Sequence, residues 1–368
     1  MTRLWGSTLN RRELLRRVGT LGQVGGVRLV TLGDGRERGV RVLEVRTGRL
    51  SFDILVDRAF DVWRCDLGGM PVAWISPNGA PGPWYGEAVT DFGWLRTFPG
   101  GLFSTCGLNH TGGPGEDAVD HIYAPELPTE HFGLHGRVGT MPARLLGYGE
   151  DWDGDECTFW AEGEIRQTAF YGEKLVLRRR IEADLGGATI RVHDRVENVG
   201  FSSATHMFLY HVNVGWPIVE EGAELLIPAT DVRTSDGSAP GDYLRIGPPE
   251  GEAPERVFEH EVAAGPDGVV TVALVNRARG LGFAERFRRD QLPRQNTWRM
   301  LADGFYALGL EPATNADSGR WEARRRGQLR VLEPGEEQPY DVSFSVLEGL
   351  DELDRTAAEI AAAVRAAG

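Results

Sequence analysis

From about Val24 to Val346 the chain returns again and again to an apolar–polar alternation with a period of two. In Leu50-Ser-Phe-Asp-Ile-Leu-Val56, the residues Leu50, Phe52, Ile54 and Val56 fall on one face of an extended backbone. In Thr189–Val196, Ile190, Val192 and Val196 turn one way and Arg191, His193 and Arg195 the other. Tyr340-Asp-Val-Ser-Phe-Ser-Val346 repeats the pattern. A helix cannot bury such a pattern on one side, because its apolar face recurs at intervals of three and four. The alternation therefore predicts an all-β chain. Its 49 glycines and 20 prolines have no fixed spacing, which suits many tight turns and excludes collagen-like and solenoid repeats. No internal linker divides the 368 residues, and large β-sandwiches reach this size as one unit. The expected organisation is an N-terminal helical extension (1–22, helical over 10–18), one β domain (23–350) and an Ala-rich amphipathic helix (351–368).

Charge and composition narrow the chemistry. A formal net charge of -14 argues against a nucleic-acid partner, which needs a basic face to neutralise phosphates. Lys174 is the only lysine and sits in a polar, turn-like stretch, so Schiff-base chemistry is set aside. Cys65, Cys106 and Cys157 are odd in number and widely spaced, which suggests neither a disulfide framework nor a zinc site. No Gly-rich phosphate loop joins a strand to a helix, so no nucleotide cofactor is expected. Asn10-Arg-Arg superficially resembles a twin-arginine export signal, but the residues after it are too polar for an apolar signal core. No apolar run reaches membrane-spanning length, and the expected compartment is the reducing cytoplasm.

Three stretches carry candidate chemistry. Phe305-Tyr-Ala-Leu-Gly-Leu-Glu311-Pro312 reads as a strand with Tyr306, Leu308 and Leu310 on its core face. Ala307 and Gly309 on the other face leave a hollow beside Glu311, and Pro312 is expected to end the strand. A carboxylate over a hollow can serve as a general base; from this stretch alone, an exposed glutamate at a sheet rim is the simpler reading. In Ser203–Gly215, His211 shares a face with Met207, Leu209 and Asn213, while His206 shares a core-like face with Phe208, Tyr210 and Val212. His131-Phe-Gly-Leu-His135-Gly-Arg137, if extended, places His131, Gly133, His135 and Arg137 together. Val72–Ser76 is expected as a short strand and residues 112–130 as a loop. Between Asn78 and Thr111 lie Trp84, Tyr85, Phe92, Trp94, Phe98 and Phe103, which either line a pocket or plug the mouth of a sheet.

In order along the chain, Leu134-His135-Gly136, Tyr210-His211-Val-Asn213, Leu308-Gly-Leu-Glu311 and Leu332-Glu-Pro-Gly-Glu336 resemble the motifs of the aldose 1-epimerase (galactose mutarotase) superfamily. The match most resembles a divergent branch. Arg137 replaces a second Gly, Tyr210 rather than Asn precedes His211, and Asn109-His110 stands where the family has Asn-Arg. The resemblance implies a β-supersandwich of antiparallel sheets with an open sugar cleft. Glu311 would act as base, His211 as acid, and His135, Arg137, Asn109 and Asn213 would bind substrate, with no metal or other cofactor. A small-molecule carbohydrate is the implied partner, on a monomer or homodimer. Two alternatives stay open: a non-catalytic carbohydrate-binding protein, and an epimerase or lyase acting beside the carbonyl of a keto sugar. A metal site built from His131, His135 and His110 or His121 lacks further ligands at suitable spacing.

Overall fold

The computed structural model describes residues 1–85, 91–118 and 128–367; His121 lies outside them. The alternating stretches form antiparallel sheets. One sheet of eight strands runs Arg144–Asp153, Glu156–Thr168, Lys174–Asp184, Thr189–Asn198, Glu337–Glu348, Leu281–Arg288, Val269–Asn276, Glu224–Leu226. A second runs Ala229–Thr234, Arg256–Val262, Arg294–Ala302, Phe305–Ala313, Ala204–Val214, and the last of these also pairs with Phe103–Leu108 and Arg330–Leu332. A third, five-stranded sheet holds Gly26–Thr31, Arg41–Arg46, Leu50–Leu55, Asp61–Leu67 and Met70–Pro71. Leu50, Phe52 and Ile54 of the third sheet, Ile190 and Val192 of the first, and Val212 and Leu310 of the second belong to one continuous core. Period-two alternation here means one face per strand turned into that shared interior.

A buried polar knot ties the three sheets together. Arg179 is fully enclosed, and its guanidinium donates to Asp61 at 2.7 Å and to Asp194 at 2.8 and 2.6 Å. Tyr210 donates to Asp194 at 2.6 Å, and Thr105 donates its hydroxyl to Asp61. Tyr210 is the sequence neighbour of His211 and points to the opposite face, so the knot holds from behind the strand that carries His211.

Several local expectations are corrected. The N-terminal stretch opens with a hairpin, Thr2–Leu4 against Ser7–Leu9, and its helix covers only Arg11–Leu15. Asn10 caps that helix in a reciprocal box with Glu13, and Leu4 and Leu14 are buried in the main core, so the segment is packed rather than appended. Val72–Ser76 forms no strand; Ala73 and Ile75 make single bridges to Val214 and Gly100. Within 112–130, Gly115–Ala118 pairs with Thr129–Phe132. Pro312 does not end its strand, which runs to Ala313. It stands opposite Gln295, and the ladder to Ala204–Val214 is interrupted beside it, where a missing N–H would otherwise be needed. The C-terminal helix Leu350–Ala367 buries Leu353, Thr356, Ile360 and Ala363, and Leu353 and Ile360 pack on Ala273, Val275, Ala284 and Leu347.

Candidate active site

Leu209 stands opposite Ala313 and Val212 opposite Leu310, a register that sets His211 across from Glu311 on the same face. His211 Nε2 lies 3.3 Å from Glu311 Oε1. The contact is not aligned as a hydrogen bond: among the described residues Glu311 Oε1 has no hydrogen-bond partner, and neither has His211 Nδ1 on the other side of the ring. On the other side of Glu311, Asn296 is its cross-strand neighbour and Trp298 is that of Gly309. The hollow expected beside Glu311 is occupied: a Cβ at Gly309 would meet Glu311 Oε1 at 2.7 Å and Trp298 Cβ at 2.8 Å. Glycine here lets the glutamate side chain lie back along its own strand.

His135 reaches the same place by a route the extended reading missed. Its backbone is left-handed, with φ 58°, and Gly136 follows with φ 77°. A Cβ at Gly136 would lie 2.4 Å from Gly107 O, so only glycine lets this turn press against the Phe103–Leu108 strand. The His135 ring stands edge-on to His211 at 5.5 Å and 4.7 Å from Trp94. Its Nδ1 accepts from Gly112 N–H at 3.3 Å, which leaves the ring proton on Nε2. Trp94, Phe98 and Trp298 all ring His211 within 5.7 Å. His211 is 5 % exposed and Glu311 2 %, so the site is closed over rather than an open cleft, and the simpler reading of Glu311 as an exposed rim residue is excluded.

Burial sets the protonation. It pushes the Glu311 carboxyl well up, and the nearby Asp317 charge pushes the same way. Burial lowers His211 to about 4 and takes His135 well below the usual imidazole range. Asp317, four residues beyond the strand end, is itself raised to about 7, again chiefly by desolvation. Its Oδ1 is unpartnered, as are Asn213 Oδ1 and Asn296 Oδ1. Burial thus favours the uncharged form of each, a protonated carboxyl against a neutral imidazole.

Of the six residues singled out from sequence, the structure brings together His135, His211 and Glu311. Asn213 sits two residues on along the same face and donates to Gly101 O and His211 O. Asn109 and Arg137 do not join them. Asn109 accepts from Gln167 at 2.7 Å and lines a separate cavity, and Arg137 is ion-paired with Glu130 at 2.5 Å. Of the other histidines, His131 is half-exposed against Asp91, His193 meets Asp341 at the surface, and His206 is enclosed between Leu108 O and Tyr340. Sequence reasoning missed Asn296, Trp298 and Asp317. The Arg294–Ala302 strand has weak alternation, and an aspartate in a loop gives no local signal. Among the described residues, no group of three or more His, Cys, Asp or Glu side chains is arranged to hold a metal.

The antiparallel sandwich with this cross-strand pair has the galactose mutarotase-like fold. A Klebsiella pneumoniae protein provisionally called an aldose 1-epimerase superposes with a TM-score of 0.84 over 97% of this chain and 91% of its own, at 22% identity. A galactose mutarotase-like protein from Clostridium acetobutylicum scores 0.61 at 10% identity, covering 88% of this chain and 98% of its own. A galactose 1-epimerase from Lactobacillus acidophilus scores 0.57 at 12% identity, covering 88% and 99%. At such identities the likeness is one of fold. No curated protein matches the chain. The model of a family described as a domain of unknown function, DUF4432, matches residues 37–346, and the chain belongs to that family.

Proposed function

We propose that this protein is an aldose 1-epimerase-like isomerase of the cytoplasm that interconverts the anomers of a free, uncharged sugar, with Glu311 and His211 as its acid–base pair. The observation that carries the reading is the set of unpartnered polar atoms on and beside one sheet face: His211 Nδ1, Glu311 Oε1, Asn213 Oδ1, Asn296 Oδ1 and the adjacent Asp317 Oδ1. Buried polar atoms normally have partners, and sugar hydroxyls would supply them. The aromatic rings of Trp94, Phe98 and Trp298 offer apolar faces for the sugar C–H surface.

A protonated Glu311 with neutral His211 holds the same number of protons as a carboxylate with an imidazolium. The two forms are tautomers of one pair. In the ionic form, Glu311 takes the proton from the anomeric hydroxyl while His211 gives one to the ring oxygen, and the C1–ring-oxygen bond breaks. The pair is left as carboxylic acid and neutral imidazole, the form that burial favours, beside an open-chain aldehyde. Rotation about C1–C2 and the reverse transfers close the ring on the other face. His135, with its proton on Nε2, is a hydroxyl donor beside the reacting atoms. Below about pH 4 His211 takes up a further proton while Glu311 keeps its own, so activity is expected to fall in acid.

Exchange of anomers followed by NMR tests the reading. Glu311→Gln is nearly isosteric and should lower the rate by ~10²–10⁴ with the fold intact, and His211→Ala should also lose rate. A wild-type protein that binds sugars without speeding exchange would make this a carbohydrate-binding protein. Solvent deuterium entering a substrate carbon would instead favour chemistry beside a keto-sugar carbonyl, since anomerisation leaves every C–H bond intact.

A further inference from the structure

A cavity of about 540 Å³ lies apart from the His211–Glu311 pair, at the end of the sandwich where two hairpin turns meet the Gly319–Arg325 helix. Its volume is within the ~300–1,000 Å³ of small-molecule sites. Phe170 and Tyr171 come from the turn between Glu156–Thr168 and Lys174–Asp184, and Phe201 from the turn between Thr189–Asn198 and Ala204–Val214. Phe170 is 85 % exposed and Phe201 98 % exposed. Phe170 meets only the edge of its neighbour Tyr171 among the described rings, and two phenylalanines so exposed on neighbouring turns mark a recognition surface.

The polar wall of this cavity carries charges of both signs. Arg320 and Arg324 share the Asp117 carboxylate, and Lys174 Nζ donates to three backbone carbonyls. Glu173 and Glu130, the latter paired with Arg137, add carboxylates to the same wall. What the described residues leave free is a mixture. Asn109 uses its amide oxygen on Gln167, which leaves Nδ2 to donate. Arg320 donates through Nε and Nη1, and Arg324 through Nε and Nη2, so one terminal nitrogen of each is left. Glu173 accepts from Gln167 on Oε1 and Glu130 from Arg137 on Oε1, leaving Oε2 of each. Interspersed donors and acceptors match groups that both donate and accept, which means hydroxyls.

We propose that this cavity is a second carbohydrate-binding site for a neutral mono- or disaccharide, with Phe170 and Phe201 flanking the sugar ring and Asn109, Glu130, Glu173, Arg320 and Arg324 binding its hydroxyls. It stands independently of the reaction proposed for Glu311. None of His135, His211 or Glu311 lines it.

Titration of D-glucose, D-galactose and maltose, followed by saturation-transfer NMR and calorimetry, tests the proposal on wild type, His211→Ala, Glu311→Gln and a Phe170→Ala/Phe201→Ala double variant. Both phenylalanines are exposed, so the double variant should fold, as far-UV circular dichroism would verify. At least one sugar should bind His211→Ala and Glu311→Gln, and its affinity there should match one binding event of the wild type. The phenylalanine variant should lose that event by at least about tenfold. Unchanged titrations in the phenylalanine variant would overturn the proposal, as would no sugar binding to either pair variant. Concentration-dependent self-association of wild type that the double variant abolishes, without sugar binding, would reassign the surface to a second copy of the chain. Anomer exchange is not read in this experiment, so failure of the proposed reaction leaves its outcome unaffected.

Discussion

Glu311 and His211 are both denied water, and the same physics acts on a third carboxyl. Glu285 is fully buried on the core side of Leu281–Arg288, neither oxygen has a hydrogen-bond partner among the described residues, and burial pushes it up to about 8. It also adds to the upward shift of Glu311. A carboxyl whose folded value lies above its unfolded value of 4.5 contributes stability fully present below that value. The contribution is lost as pH rises towards 8, because folding must then take up a proton. Glu285→Gln removes this dependence. Its stability relative to wild type should rise between pH 5 and pH 8, with the difference on the order of a few kcal/mol at most. Urea denaturation at the two pH values checks it, and an equal effect at both would mean that Glu285 is ionised in the folded protein. At this scale, strand alternation made the faces of Glu311 and His211 legible, while their pairing came only through the likeness of the motifs to a known family. Glu285 and Asp317 were not legible, since their character comes from what packs around them.

Among elements, Ala204–Val214 has the most to position: His211 and Asn213 on one face, and Tyr210 on the other, anchored to the Arg179 knot. Arg179→Met would leave Asp61 and Asp194 enclosed without their cation. Breaking a buried pair from one side costs ~3–5 kcal/mol, and this variant should show that loss in a denaturant melt. Replacing Asp61 and Asp194 by Asn in the same protein should recover part of it. A loss under about 1 kcal/mol would mean that the knot contributes little to holding the sheets together. The strand itself was readable from its sequence. The turn that delivers His135 was not, because a left-handed histidine followed by Gly136 looks locally like any Gly-containing stretch; what selects it is the close approach of Gly107 on another strand. Arg137 went astray with it: counted along an extended segment it shares a face with His135, but past the turn it pairs with Glu130.

For the whole molecule, one continuous core spans all three sheets, so the chain should unfold in a single cooperative transition, with calorimetric and van't Hoff enthalpies in agreement. Two resolved transitions would separate the five-stranded sheet from the rest. The sequence by itself determined the all-β class, the strand faces, the buried role of His206 and the surface role of His193. Each of these depends only on the two-residue repeat of an extended backbone. It also carried the likeness to mutarotases through motifs in order. Only the tertiary structure decided that the His211–Glu311 pair is enclosed rather than set in an open cleft, that burial pushes both groups towards their uncharged forms, and that Asn109 belongs to another cavity. Those properties depend on strand register and desolvation, and both are set by residues far away in the chain.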